Sequence, residues 1–410
     1  MFKKLITYIL PINLLFDISL SFFEQGGVVP IIRALSLLAL LFFFLIRYSY
    51  NNKYYSVGIL FSAYILITCL FSTDIIRSLS ITFKVVITVL SFGIGFNFFN
   101  SFNRLKSLNN SIIIMLVMLF LNFVISTIFD IGKDNYTGDN DFLAGNLDDS
   151  WNIYTYALLI TPLIFLQYEN QSRKKFLIQI LAFTNLVIMT LSLKRIAFVG
   201  VVIGGLIYTY FNFNLFKNFK SLVIILLILV ATFPIYESIL LKRFDARSNR
   251  FEEGALESEA RYLETGFVWS EIANFKNPLR DLFGLEGFKS VGNYADGKFG
   301  ERNLHIDYNL IVNTVGVVGL ILYLLIFGQF FNLRYQLRNA KNKIPPKLFK
   351  PLNGVFWAFI LTQFVTSFAG QMYMTTFRMI IYIYLGAILG IMMRYSRESK
   401  EQNIDKKINI

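Results

Sequence analysis

A single histidine and a few cations carry most of the chemistry open to this chain. His305 is the only histidine among 410 residues. It stands in Asn303-Leu304-His305-Ile306-Asp307-Tyr308-Asn309-Leu310, where the longest hydrophilic stretch runs back into an apolar run that reaches about Phe331. Imidazole exchanges a proton near neutral pH without help from its surroundings. At such a boundary it could act as a base on a substrate half in lipid and half in water, or equally be a helix N-terminal residue hydrogen-bonded to backbone. Lys194 and Arg195 fill a turn between two apolar runs with almost no polar sequence around them. Adjacent cations repel one another and resist desolvation unless an anion meets them. A diphosphate suits them, because a guanidinium fork binds phosphate oxygens through paired hydrogen bonds; the pair could instead snorkel to the water interface. Arg261 has Glu257 four residues before it and Glu264 three after, a spacing that also suits a surface salt-bridge array. Asp148 and Asp149 could hold a divalent cation through oxygen or cap the helix that starts near Trp151.

These groups need a frame, and the composition says what kind. Hydrophobic residues make up 55% of the chain and charged residues 16%, with a mean hydropathy of +0.55. A soluble domain carries roughly a quarter charged residues, so this chain has too few to cover a soluble surface. Spans of about 20 apolar residues cross a bilayer as helices. About twelve fit that template, near 5–23, 28–47, 55–72, 80–99, 112–129, 151–167, 176–192, 195–211, 220–241, 307–331, 352–369 and 376–394. The expected fold is an all-α polytopic membrane protein forming a single integral membrane domain over 1–410.

The net charge of +13 is not a nucleic-acid footprint. Lys3/Lys4, Arg47/Lys53, Arg104/Lys106, Arg173-Lys174-Lys175, Lys217/Lys220, the cluster Arg334 to Lys350 and the tail Arg394 to Lys407 fall at alternate helix ends. That is the positive-inside pattern, which places both termini and these loops in the cytoplasm and brings basic side chains to anionic lipid. Two hydrophilic stretches then face outward: a short loop over 130–150 and a long one over 242–304. In the second, Leu256, Ala260, Leu263, Phe267 and Ile272 have helical spacing, and the part after Pro278 is Gly-rich and loop-like. The residues from 395 to 410 read as a disordered cytoplasmic tail. Met1-Phe2-Lys3-Lys4 before an apolar run resembles a signal peptide, but no Ala-x-Ala-like site follows and Asp17 interrupts the run, so an uncleaved first helix is expected. Cys69 is alone, which excludes a disulfide within the chain, and a single histidine argues against zinc.

From about Asp130 to Arg394 the chain resembles the O-antigen ligase and O-antigen polymerase superfamily of bacterial membrane glycosyltransferases. Gly145 to Ala157, with Asn152, is similar to that family's asparagine-bearing start of a span. Leu191-Ser192-Leu193-Lys194-Arg195-Ile196-Ala197 resembles its Ser-x-Ser-Arg-Gly turn, with Lys194 and Ile196 departing from the usual serine and glycine. Arg261, eight residues before Trp269, then Pro278 and the Gly284/Gly287 turn look like its external-loop arginine, aromatic and glycine series. His305-Ile306-Asp307-Tyr308, with Gly316 and Gly319, is similar to its histidine-led motif. There Ile306 replaces Asn or Ser, and Thr314 stands where ligases tend to have glutamate.

The resemblance implies a GT-C-like helical frame in the bacterial inner membrane, with the active site facing the periplasm. It implies transfer of a glycan from undecaprenyl diphosphate to the hydroxyl of an acceptor glycan, without a cofactor. His305 would be the catalytic base, since an unperturbed imidazole pKa of about 6.5 suits work at neutral pH. Arg195, Arg261 and Lys194 would hold the departing diphosphate, and Asn152, Trp269 and Tyr308 would touch substrate. Such a leaving group needs no protonation, so a glycosidase-type second carboxylate is unnecessary; inversion and metal independence are expected. Polymerase is the leading reading, because Thr314 and Ile306 depart from the ligase pattern. Ligase, with lipid A–core or another surface acceptor, is the alternative. A lipid-linked oligosaccharide flippase is a third, resting on Arg33 and Lys84.

Overall fold

The computed structural model describes residues 2–20, 28–48, 52–129, 151–191, 195–212, 260–275, 277–290, 304–368, 370 and 372–408. Every regular element among them is helical. In chain order the α-helices are α1 (Phe2–Thr7), α2 (Ile9–Leu20), α3 (Val28–Tyr48), α4 (Asn52–Cys69), α5 (Ile75–Phe98), α6 (Phe102–Phe129), α7 (Asn152–Leu159), α8 (Thr161–Gln167), α9 (Ser172–Leu191), α10 (Arg195–Asn212), α11 (Ala260–Asn274), α12 (Pro278–Phe283), α13 (Asp307–Gln336), α14 (Pro346–Thr366) and α15 (Thr375–Ile408).

Five of these are long and apolar enough to cross a membrane: α5, α6, α13, α14 and the part of α15 up to Arg397. Shorter apolar helices occupy Ile9–Ser19, Ile32–Phe43, Tyr54–Cys69, Asn152–Gln167 and Ile196–Asn212. This is the helix content of an all-α membrane protein. The expected span at 220–241 and the outer loop 130–150 lie outside the described residues, as does most of 242–304. The last helix runs on over the residues read as a disordered tail.

The apolar run 151–167 is two helices rather than one. Pro162 sits at the start of α8, has no N–H to donate and crowds the carbonyl four residues before it. The break falls at Ile160, and Thr161 donates its hydroxyl to Leu158 O at 2.7 Å.

The chain divides into two compact units. One comprises Met1–Phe22, Asn109–Glu259 and Lys350–Gln363; the other comprises Phe23–Leu108, Ala260–Phe349 and Phe364–Ile410. In the first, amide and hydroxyl side chains join helices through backbone carbonyls. Asn185 Nδ2 donates to Leu116 O at 3.2 Å, and Thr362 Oγ1 donates to Gly200 O at 3.2 Å. Such polar contacts hold helices together where burying apolar surface gains nothing against lipid.

In the second unit α15 packs on α5 at very short range. A Cβ on Gly95 would fall 2.0 Å from Ile383 O, and one on Gly386 would fall 2.2 Å from Phe92 O, so small residues set the approach. The apolar stretch of α15 is 94% buried, against 33% for that of α6. Beside α15, Tyr55, Phe92 and Phe330 stack with ring centroids 4.4 to 5.9 Å apart. The Tyr55 hydroxyl donates to Val89 O at 2.7 Å. α11 and α12 both pack on α13, which brings the described part of the long loop onto the helix that follows His305.

Candidate functional site

The turn that carries His305 is held from three sides. α13 begins at Asp307, two residues after the histidine. Asp307 is fully buried and forms an ion pair with Arg378, itself 2% exposed, in the first turn of α15. The Arg378 guanidinium also donates to Gly370 O at 3.2 Å, and the backbone N–H of Asp307 donates to Ser367 O at 3.0 Å. Ser367 and the backbone of Met372 hydrogen-bond the Asp307 carboxylate as well. Gly370 has φ +88°, and a Cβ there would fall 1.1 Å from His305 O. Only glycine can present its backbone so closely in that conformation. His305 itself is half-buried.

Isolated buried charges are expensive, and an ion pair offsets its desolvation only when the remaining lone pairs and protons are also met. Here the Arg378 guanidinium reaches the Asp307 carboxylate, the Ser367 hydroxyl and Gly370 O around one turn. The motifs of the sequence do not include Arg378, and they contain Asp307 only as the neighbour of His305. A signal was present: Arg378 is a lone charge in Phe377-Arg378-Met379-Ile380-Ile381, and a charge inside an apolar span calls for a partner. Its partner lies 71 residues away, beyond any local pattern.

The aromatic residues named from the sequence are positioned too. Trp269 Nε1 donates to Asn309 Oδ1 at 3.1 Å, and Asn309 Nδ2 donates to Thr265 Oγ1 at 2.8 Å. These two bonds tie α11 to the first turn of α13. The Tyr308 hydroxyl donates to Phe364 O at 3.2 Å. Asn309 and Thr265 are thus positioning residues that no motif announces. Arg261 is the second residue of α11, one turn before Thr265; its side chain lies outside the described residues. Glu264 is fully buried, so it does not belong to a surface salt-bridge array.

Pro278 to Phe283 is a helix, not loop. Asn277 caps it by accepting the Arg280 N–H, Pro278 stands at its start and Gly284 ends it. These are standard start and stop residues. The turn that follows meets a break in α13 at Gly316, whose φ is +73°. Such a break strips hydrogen bonds from preceding carbonyls. The loop and α4 supply replacements: Glu286 N–H donates to Thr314 O at 3.3 Å, and the Tyr64 hydroxyl donates to Val315 O at 2.8 Å. The Glu286 carboxylate accepts from Ser72 Oγ at 3.2 Å and from Thr73 N and Oγ1 at 3.3 and 3.1 Å. In this unit, then, the glycine turn and the histidine motif form one interlocked structure.

Arg195 and Asn152 belong to the other unit. Arg195 is the first residue of α10 and Asn152 the first of α7. α7 packs on α10, and Thr155 Oγ1 donates to Ala197 O at 3.0 Å, which fastens the start of α10 to α7. Asn152 is buried. Lys194 and the side chain of Arg195 lie outside the described residues.

No family model matches the chain. Two curated proteins do. Both are described as "Putative polysaccharide ligase". The one from Rickettsia conorii is 25% identical over 308 residues, covering 70% of this chain and 69% of its own. The one from Rickettsia felis is 27% identical over 304 residues, covering 69% of each.

Proposed function

We propose that this chain is a membrane glycosyltransferase that moves a glycan from a polyprenyl diphosphate to a sugar hydroxyl, with His305 as the base. The observation that carries the reading is the fixation of the His305 turn by the buried Asp307–Arg378 pair and by Gly370. Orientation of this kind is what a base needs in order to meet a hydroxyl in one geometry. In the step proposed, imidazole takes the proton of the acceptor hydroxyl, whose oxygen forms a bond to the anomeric carbon. The bond from that carbon to the diphosphate breaks, and the diphosphate leaves as an anion, with its charge met by Arg195, Arg261 and Lys194. Asn152, Trp269 and Tyr308 contact the sugars, and attack opposite the leaving group inverts the anomeric centre. The inner membrane, with the site facing the periplasm, is the proposed setting.

Two acceptors are consistent with this chemistry. The descriptions of the two rickettsial relatives favour a ligase, which attaches a polysaccharide to a surface acceptor. Thr314 favours a polymerase, which adds one lipid-linked repeat to another. It is buried, and its hydroxyl donates to Leu310 O at 2.6 Å, so this position supplies no carboxylate.

Deleting the gene and resolving surface glycan on gels separates them. Loss of all attached glycan, with polymer left on the lipid carrier, identifies a ligase. Loss of the ladder, with a single repeat still attached, identifies a polymerase. An unchanged glycan profile overturns both.

A further inference from the structure

In the unit that holds His305, part of the long loop is wedged between helix ends. A Cβ on Gly284 would fall 2.3 Å from Val315 Cα, and one on Gly287 would fall 2.6 Å from Cys69 Sγ and 2.9 Å from Cys69 Cα. Glu286 N–H donates to Thr314 O, and the Glu286 carboxylate accepts from Ser72 and Thr73. The segment after α12 thus touches the last residue of α4, the turn before α5 and the third turn of α13. We infer that α12 is an interfacial helix, with Leu279 and Phe283 set among lipid acyl chains, so that the bilayer is the partner of this face.

Depth along the spans carries the inference. α5 and α13 are both long and apolar enough to cross a membrane. The apolar run of α13 ends at about Phe331, before Asn332 and Arg334, and a hydrocarbon layer takes about 20 helical residues. Counted back from Phe331, the layer reaches Val312, which puts Thr314, Val315 and Gly316 just inside it. α5 runs from Ile75 to Phe98, 24 residues, so its first residue lies within about one turn of the boundary. Two spans therefore place the end of α12 near the edge of the hydrocarbon. Irregular backbone is tolerated at that depth only where protein shields it. Gly284, Gly287 and Phe288 meet this condition, since all three are buried.

The exposed surface of α12 is apolar. Leu279 and Phe283 stand four residues apart, one above the other on the helix, and they are 67% and 46% exposed. Asp281, between them in sequence, is turned inward: it is buried, and its carboxylate accepts the Asn277 N–H at 3.2 Å. Leu70, Phe71, Ile75 and Ile76, on either side of the Ser72–Thr73 turn that holds Glu286, are exposed as well. Apolar surface is unfavourable in water, whereas a helix with one apolar face lies stably in the plane of the membrane interface. The inference does not depend on the transfer reaction proposed above.

The test attaches a nitroxide at Leu279→Cys and, separately, at Phe283→Cys in the full-length chain, reconstituted in phosphatidylcholine nanodiscs. Cys69 is buried, and the unsubstituted chain serves as the labelling blank. Oxygen concentrates in hydrocarbon and a nickel chelate stays in water, so the ratio of their collision rates with the label reports depth. Lys341→Cys, at an exposed position in the basic turn between α13 and α14, is the aqueous reference. At both positions of α12 the oxygen-to-nickel ratio should exceed the reference by about fivefold or more. A smaller difference at either position overturns the proposal. Slow collision with both reagents also overturns it, because protein rather than lipid would then cover the face. No glycan transfer is read, so an inactive chain with both labels in hydrocarbon would remove the proposed function and leave this inference standing.

Discussion

Arg378 and Arg77 stand in the first turns of two apolar helices in the same unit, and they have opposite fates. Arg378 is 2% exposed, paired with Asp307 and hydrogen-bonded to the backbone of Gly370. Arg77 is exposed and lines an open cavity. What separates them, among the described residues, is whether another segment delivers a carboxylate. The start of α13 brings Asp307 to α15, whereas the carboxylate beside α5 is occupied as that helix's own cap. An arginine at the head of a membrane helix is thus locked into the fold or left at the surface according to its neighbours, and composition alone cannot say which.

The difference is tested most severely at the paired arginine. Arg378→Ala leaves Asp307 charged and buried, and removing one member of a buried pair costs about 3–5 kcal/mol. The expected result is little folded protein, read by gel filtration and thermal unfolding in detergent. Asp307→Leu/Arg378→Met should recover most of the loss, because two apolar groups of similar volume replace both charges. A double variant as damaged as the single one would show that the pairing is not what matters.

His305→Ala breaks the comparison from the other side. A general base contributes about 10² to 10⁴-fold, so transfer should fall by that factor while the unfolding midpoint stays where it was. Substantial polymer made by a His305→Ala strain would exclude the catalytic role. A large fall in midpoint would instead place His305 with Arg378 as a structural group.

Gly370→Ala comes next. Its Cβ overlaps the His305 carbonyl and its φ is left-handed, a strain of about 1–3 kcal/mol. Stability and transfer should therefore fall together. Gly205, where an added Cβ would meet nothing within 4 Å, is the control. Gly205→Ala in the middle of α10 should be neutral, or stabilising by about 0.5–1 kcal/mol. Equal losses at the two glycines would show that the clamp on His305 has no special standing.

What could be read from the residues was local. The apolar runs, the start of α13 after His305 and the helix around Trp269 follow from hydropathy and spacing within a few turns. Pro162 was readable as a break in 151–167, yet length alone made that run look like one span. The contacts that give the site its shape join residues far apart in the chain. Asp307 meets Arg378, Tyr64 meets Val315, and Trp269 meets Asn309. Hydroxyl and amide side chains such as these bond wherever a helix break leaves a carbonyl open, and no period in the sequence announces the match. The His305 motif located the turn; the residues that hold it became visible only once α13 and α15 were side by side.

The smallest effect is the one that most sharpens the contrast between the arginines. Arg77→Gln removes one positive charge from the head of α5 without opening a buried space, because Arg77 already faces solvent. Exposed substitutions away from packed or paired groups change stability little. No measurable shift in unfolding midpoint is expected in detergent. If Arg77→Gln is instead as destabilising as Arg378→Ala, Arg77 holds the fold together, and the contrast between the two arginines disappears.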